Sequence, residues 1–139
     1  MNNAQNSQYA ALIVRLSLGV MLITHGLLKV MVFTVPGTVQ FFSSVGFPGW
    51  LAYIVIAIEV GGGTLMLGGI FTRGIALLSI PITLGAMSVH FQNGWLFSAP
   101  NGGWEYPAFL SLALLVLALL GPGAFAFGQK VRGPVAAHA

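Results

Sequence analysis

The chain has 139 residues, of which seven are charged (five Lys or Arg, two Asp or Glu), against roughly a quarter in an ordinary soluble domain. With 57% hydrophobic residues and a mean hydropathy of +0.92, it lacks the polar groups to cover a soluble fold, and the same composition excludes a disordered chain. The net charge of +3 comes from scattered residues, so no patch for nucleic acid exists, and the absence of cysteine excludes disulfides, thiolate metal sites and CxxC redox chemistry.

What remains is an all-α integral membrane protein, and four apolar stretches predict a four-helix bundle across the bilayer. A polar tail occupies residues 1–8. It lacks the basic region of a signal peptide, so the first stretch reads as a span that is kept. The spans fall at about 9–35, 49–71, 74–92 and 106–122, within one domain over 9–123. Pro36-Gly37 reads as the end of the first span, and Phe47-Pro48-Gly49 as the opening of the second. Thr72-Arg73-Gly74 divides the second from the third. Asn101-Gly102-Gly103 precedes the fourth, and Gly121-Pro122-Gly123 ends it. Pro81 predicts a kink in the third. Residues 35–49 and 92–106 read as loops without Lys or Arg. Arg73, Lys130 and Arg132 then put both termini and the 124–139 tail on the cytoplasmic side, with His138 a tail residue. The long 93–106 connection, carrying Trp95, Phe97 and Trp104, is expected to cap the outer mouth.

Ionisable residues within spans cost ~2.5–3.5 kcal/mol each on insertion scales and default to functional candidates. His25 and Lys29 are one turn apart on the outer part of the first span, and Arg15 lies deeper. Glu59 falls near the midplane, on a face with Ala52, Val55, Gly62, Gly63 and Met66. Ser79, Thr83, Met87 and His90 make one stripe of the third span, and Glu105 stands before the fourth at its positive end. Each also has a structural reading: Arg15 and Glu59 as an ion pair, Lys29 snorkelling to the interface, the histidines as interhelical hydrogen bonders, and Glu105 as a helix-end anion. No HExxH, HxxxH, GxGxxG or Walker spacing occurs, so neither a metal nor a nucleotide is predicted.

Arg15, His25-Gly26-Leu27-Leu28-Lys29, Val45-Gly46-Phe47-Pro48, Glu59 with its glycines, and Gly68-Gly69-Ile70-Phe71-Thr72-Arg73 occur in order. His90-Phe91, Glu105-Tyr106-Pro107 and Gly121-Pro122-Gly123 follow. This ordered set resembles the DoxX family of small bacterial membrane proteins. The resemblance implies an inner-membrane four-helix bundle linked to electron transfer, because relatives include a subunit of a thiosulfate:quinone oxidoreductase. Where family members often carry a Ser-Leu-Asp-like segment, this chain has Ala124-Phe125-Ala126-Phe127, so that carboxylate is missing.

The expected function is therefore a quinone-linked oxidoreductase subunit. Glu59, His90 and Glu105 would move protons, and Arg15, His25, Lys29, Trp95 and Trp104 would hold the quinone. The partners expected are the lipid bilayer and a redox protein or a second copy of the chain. Two alternatives stand beside it: a non-enzymatic membrane subunit that docks or stabilises a redox partner, and a small-molecule carrier.

Overall fold

The computed structural model describes residues 2–127; Lys130, Arg132, His138 and the rest of the expected tail lie outside them. The described residues hold five helices and no strand. They are α1 (Asn3–Leu27, continued by a π-helical turn Leu28–Val32), α2 (Val35–Ser44), α3 (Leu51–Leu67), α4 (Thr72–His90, continued by a 3₁₀ turn Phe91–Asn93) and α5 (Glu105–Leu120). Two of them, Asn3–Val32 and Thr72–Asn93, are long and apolar enough to cross a membrane. Leu51–Leu67 and Glu105–Leu120 are shorter apolar helices.

Helix α1 starts six residues before the apolar pattern. Asn2 Oδ1 accepts from Gln5 N at 2.9 Å, and Asn2 N donates to Gln5 Oε1 at 3.0 Å. That capping box satisfies two of the donors a helix start leaves open, so the polar segment is helical without being buried.

The connection at 35–49 is not a plain loop. Pro36 sits in the first turn of α2, where a missing N–H costs nothing, and Thr34 Oγ1 accepts from Gly37 N at 3.2 Å. Pro-Gly thus begins a helix here rather than only ending one. Thr38, the buried residue of α2, donates from Oγ1 to Lys29 O at 3.0 Å and ties α2 to the end of α1.

Leu18 and Leu22 of α1, Met66 of α3, Ile75 and Ala76 of α4, and Leu114 and Leu117 of α5 form one apolar core. Helices α1 and α3 touch through glycines. A Cβ on Gly63 would stand 3.0 Å from Gly19 O, and one on Gly26 would stand 3.0 Å from Glu59 Cβ. Small residues of this kind let two helix backbones approach where lipid offers no hydrophobic drive. Helices α4 and α5 are joined by a buried hydroxyl pair, Thr83 Oγ1 and Ser111 Oγ, 2.7 Å apart. The α4 helix runs on through Pro81.

The chain enters at one end, here called proximal, and the α4–α5 connection lies at the other, distal end. The proximal end is closed by the segment after α5. Ala124 N donates to Gln8 O at 3.0 Å, and Phe127 N donates to Gly68 O at 2.9 Å.

Candidate distal site

Lys29 and Glu59 meet in the distal half. Lys29 Nζ stands 2.8 Å from each carboxylate oxygen and donates a hydrogen bond to Oε1. The Glu59 side chain is 6% exposed and that of Lys29 is 20% exposed, so the pair is taken largely out of solvent. Glu59 Oε2 has the ionic contact but no aligned donor. Both residues sit in π-helical turns, Lys29 in Leu28–Val32 and Glu59 in Ile58–Gly62. A π turn carries one extra residue per turn, which rotates a side chain to a phase an α-helix would not give it, and such turns recur at functional sites.

His25 lies one turn before Lys29. Its Nδ1 is 2.8 Å from Met21 O, and its ring stacks on Tyr106 at 5.8 Å between centroids. Tyr106 opens α5, and its hydroxyl is buried without a hydrogen-bond partner. Pocket space of about 160 Å³ beside it is lined by Phe97, Glu105, Tyr106 and Phe109. That space is lined from the start of α5 and the connection before it, and the His25–Tyr106 stack joins it to α1.

The remaining expected residues divide between two other places. His90 and Glu105 hold the α4–α5 connection. His90 Nδ1 is 3.0 Å from Asn101 O and 3.1 Å from Gly102 O, and Asn93 Nδ2 donates to Gly102 O at 2.8 Å. Glu105 Oε2 accepts from Phe97 N at 3.1 Å. Trp95 and Trp104 meet edge to face at 4.5 Å, and Phe91 stacks on Trp104 at 5.4 Å. Gly103 closes this loop because a Cβ there would strike the carbonyl oxygens of Leu96, Gly94 and Trp95. Gly103→Ala is therefore expected to open the connection. Limited proteolysis should cut between residues 94 and 104 much faster than in the unaltered protein, and an unchanged cutting rate would show the loop packs without this contact.

Arg15 belongs to the proximal end. It is 2% exposed and donates from Nη1 to the carbonyl of Pro122. Fourteen residues separate it from Lys29, about 21 Å along a helix. The partner of Glu59 is thus Lys29, not Arg15, and Lys29 turns inward to it rather than extending only to the interface. Tyr106 as the partner of His25 has no signal in the sequence beyond an aromatic at a helix start, and Thr38 and Ser111 have none as buried hydroxyls. No group of three or more His, Cys, Asp or Glu side chains that could hold a metal occurs among the described residues.

The DoxX family model matches residues 10–92. The chain is similar to the Bacillus subtilis protein named "Putative oxidoreductase CatD", 32% identical over 136 residues that cover 94% of this chain and 96% of the relative. It is also similar to two Escherichia coli proteins, "Inner membrane protein YqjF" and "Inner membrane protein YphA". YqjF is 31% identical, covering 87% of this chain and 91% of the relative. YphA is 33% identical, covering 86% and 88%. No solved structure matches the chain.

Proposed function

The chain belongs to the DoxX family and is a bacterial inner-membrane protein, and from that premise we propose that it is a quinone-linked oxidoreductase subunit. In this reading α1, α3, α4 and α5 cross the bilayer as a four-helix bundle. Arg73, Lys130 and Arg132 hold the proximal end and both termini in the cytoplasm. The single observation that carries the proposal is the Lys29–Glu59 pair, each member set in a π turn and the lysine one turn from His25, whose ring stacks on Tyr106.

The donor set suits a quinone head group. Lys29 Nζ and the Tyr106 hydroxyl are hydrogen-bond donors for carbonyl oxygens, while the Nδ1–H of His25 is given to Met21 O and its ring, stacked on Tyr106, offers a flat face. A bound quinone supplies a two-electron, two-proton acceptor. Glu59, whose buried Oε2 has the ionic contact to Lys29 but no aligned donor, would pass protons to it, and Lys29 holds that carboxylate in position. His90 and Glu105 serve by fixing the connection that covers this end, with Trp95 and Trp104 as its aromatic face. Electrons come from a redox partner, in keeping with the oxidoreductase name of one relative.

The test is titration of the purified protein with a short-chain quinone, followed by quenching of tryptophan fluorescence. Saturable quenching is expected. Tyr106→Phe removes one hydroxyl and keeps the stack, so it should weaken binding about three- to tenfold, the worth of one hydrogen bond. Lys29→Met should weaken it by tenfold or more. Binding that is absent, or indifferent to both changes, would remove the proposal.

A second reading rests on Gly26. That glycine brings α1 against Val60 and Glu59, so the pair also serves as a clamp between α1 and α3. A non-enzymatic subunit that stabilises a partner would need only the clamp. It would lose stability in pair variants while showing no saturable quinone binding.

A further inference from the structure

The proximal end holds a second polar cluster that the quinone site does not use. Arg15 is buried in the helical packing, yet its Nη1 donates to a neutral oxygen, the Pro122 carbonyl, and its Nε has no partner. The chain's carboxylate side chains are Glu59 and Glu105, and both are committed at the distal end. Arg73 comes to the same turn from α4, its Nη2 3.4 Å from Leu119 O and its guanidinium against Gly121. Two guanidinium groups therefore converge on the turn Leu119–Gly123 with no carboxylate beside them among the described residues. A buried cation without a counter-charge is costly in an apolar medium, so an anion from outside the chain has a reason to bind there.

The structure also provides a place for it. A pocket of about 310 Å³ is lined by Gly69, Phe71, Thr72, Arg73, Gly74 and Pro122. Thr72 is 2% exposed, and its Oγ1 has no hydrogen-bond partner. A helical threonine usually donates back to the carbonyl four residues earlier. Thr72 opens its helix, so no turn lies behind it, and Gly68 O is already taken by Phe127 N. The first turn of α4 has no side-chain cap, which leaves its N–H groups open toward the same place. Arg15 stands behind the pocket wall, its Nη1 2.8 Å from where a Cβ on Gly69 would lie.

We propose that this pocket binds the phosphate group of an anionic phospholipid, with Arg73 and the Thr72 hydroxyl as direct ligands and Arg15 as the buried counter-charge. The surroundings favour a lipid over a soluble phosphate. Phe71, Phe125 and Phe127 are 78%, 76% and 81% exposed at this end, and Ile70 is exposed beside them. Such a rim suits the glycerol and acyl region below a head group, and basic pockets at the cytoplasmic face select anionic head groups. Placement in the cytoplasmic leaflet rests on the topology proposed above; the site itself does not.

The test uses the full chain, stripped of lipid by detergent exchange and examined by native mass spectrometry. Phosphatidylglycerol, phosphatidylcholine and inorganic phosphate are added in separate series. One saturable phosphatidylglycerol per chain is expected, preferred over phosphatidylcholine roughly five- to tenfold, as one near-surface arginine allows. Arg73→Gln should abolish the preference, Arg73→Lys should keep most of it, and Thr72→Val should lower occupancy. The Arg73 side chain is exposed and makes one long hydrogen bond, so its variants are expected to fold. Inorganic phosphate that displaces the lipid with the same dependence on Arg73 would uphold the phosphate site and reassign its source to solution. Equal binding of the two lipids, or a preference untouched in Arg73→Gln, would overturn the proposal. Quinone binding read on the same sample separates the two sites, because Glu59→Gln should affect only the quinone and Arg73→Gln only the lipid.

Discussion

Removing Lys29 is expected to destabilise the protein more than removing Glu59, and removing both is expected to restore most of the loss. Taking one partner from a buried ion pair costs about 3–5 kcal/mol, chiefly because the other charge is left without compensation. The two residues are not equally trapped. Glu59 has a short side chain that is 6% exposed, so Lys29→Met strands it, at about 3 kcal/mol. Lys29 is 20% exposed near the end of α1 and can swing its ammonium to the interface, so Glu59→Gln should cost nearer 1–2 kcal/mol. The double variant Lys29→Met with Glu59→Gln leaves no buried charge and should recover to within about 1 kcal/mol of the unaltered protein. Thermal unfolding in one detergent, followed by helical circular dichroism, reads all three. Losses that simply add would mean the pair carries no coupling, and a larger loss for Glu59→Gln would mean the lysine is the trapped partner.

The pair also shows what a linear reading can and cannot reach. Apolar stretches placed Lys29 and Glu59 in the distal part of neighbouring helices, and the small residues around Glu59 identified its buried face: Ala52, Val55, Gly63 and Met66 are buried with it. The choice between Lys29 and Arg15 as its partner depended on helix phase and on height. Both ions sit in π turns, and no residue pattern announces where a helix takes its extra residue. Arg15 misled for another reason. Charges within spans usually pair with charges, whereas here the carbonyl of Pro122, 107 residues away in the chain, receives it. That contact forms only because Gly121-Pro122-Gly123 folds back under α1, a long-range event that local spacing does not encode. Helix α2 is hidden by a local ambiguity: Pro36-Gly37 reads as a stop, although proline is equally a residue of helix starts.

Gly26→Val is expected to be among the most damaging single changes in α1, and Gly61→Ala among the most harmless in α3. A Cβ on Gly26 would lie 2.5 Å from Val60 Cγ2, 3.0 Å from Glu59 Cβ and 3.1 Å from Val60 N. The Val60 methyl can rotate away, but Glu59 Cβ and Val60 N move only with the α3 backbone. Helix α3 must therefore retreat from α1, an overpacking strain of about 3 kcal/mol with a branched side chain. The retreat acts directly on function, because Glu59 is carried away from Lys29 and their 2.8 Å contact opens. Gly61 is two residues from the same carboxylate in sequence but has nothing within 4 Å of an added Cβ. Alanine there should leave stability unchanged or raise it by about 0.5–1 kcal/mol, since glycine is the poorer helix former. Unfolding midpoints and quinone quenching should fall together in Gly26→Val and stay level in Gly61→Ala. If Gly26→Val lowers the midpoint while quinone binding persists, the α1–α3 contact is structural and the Lys29–Glu59 distance is not what the ligand reads.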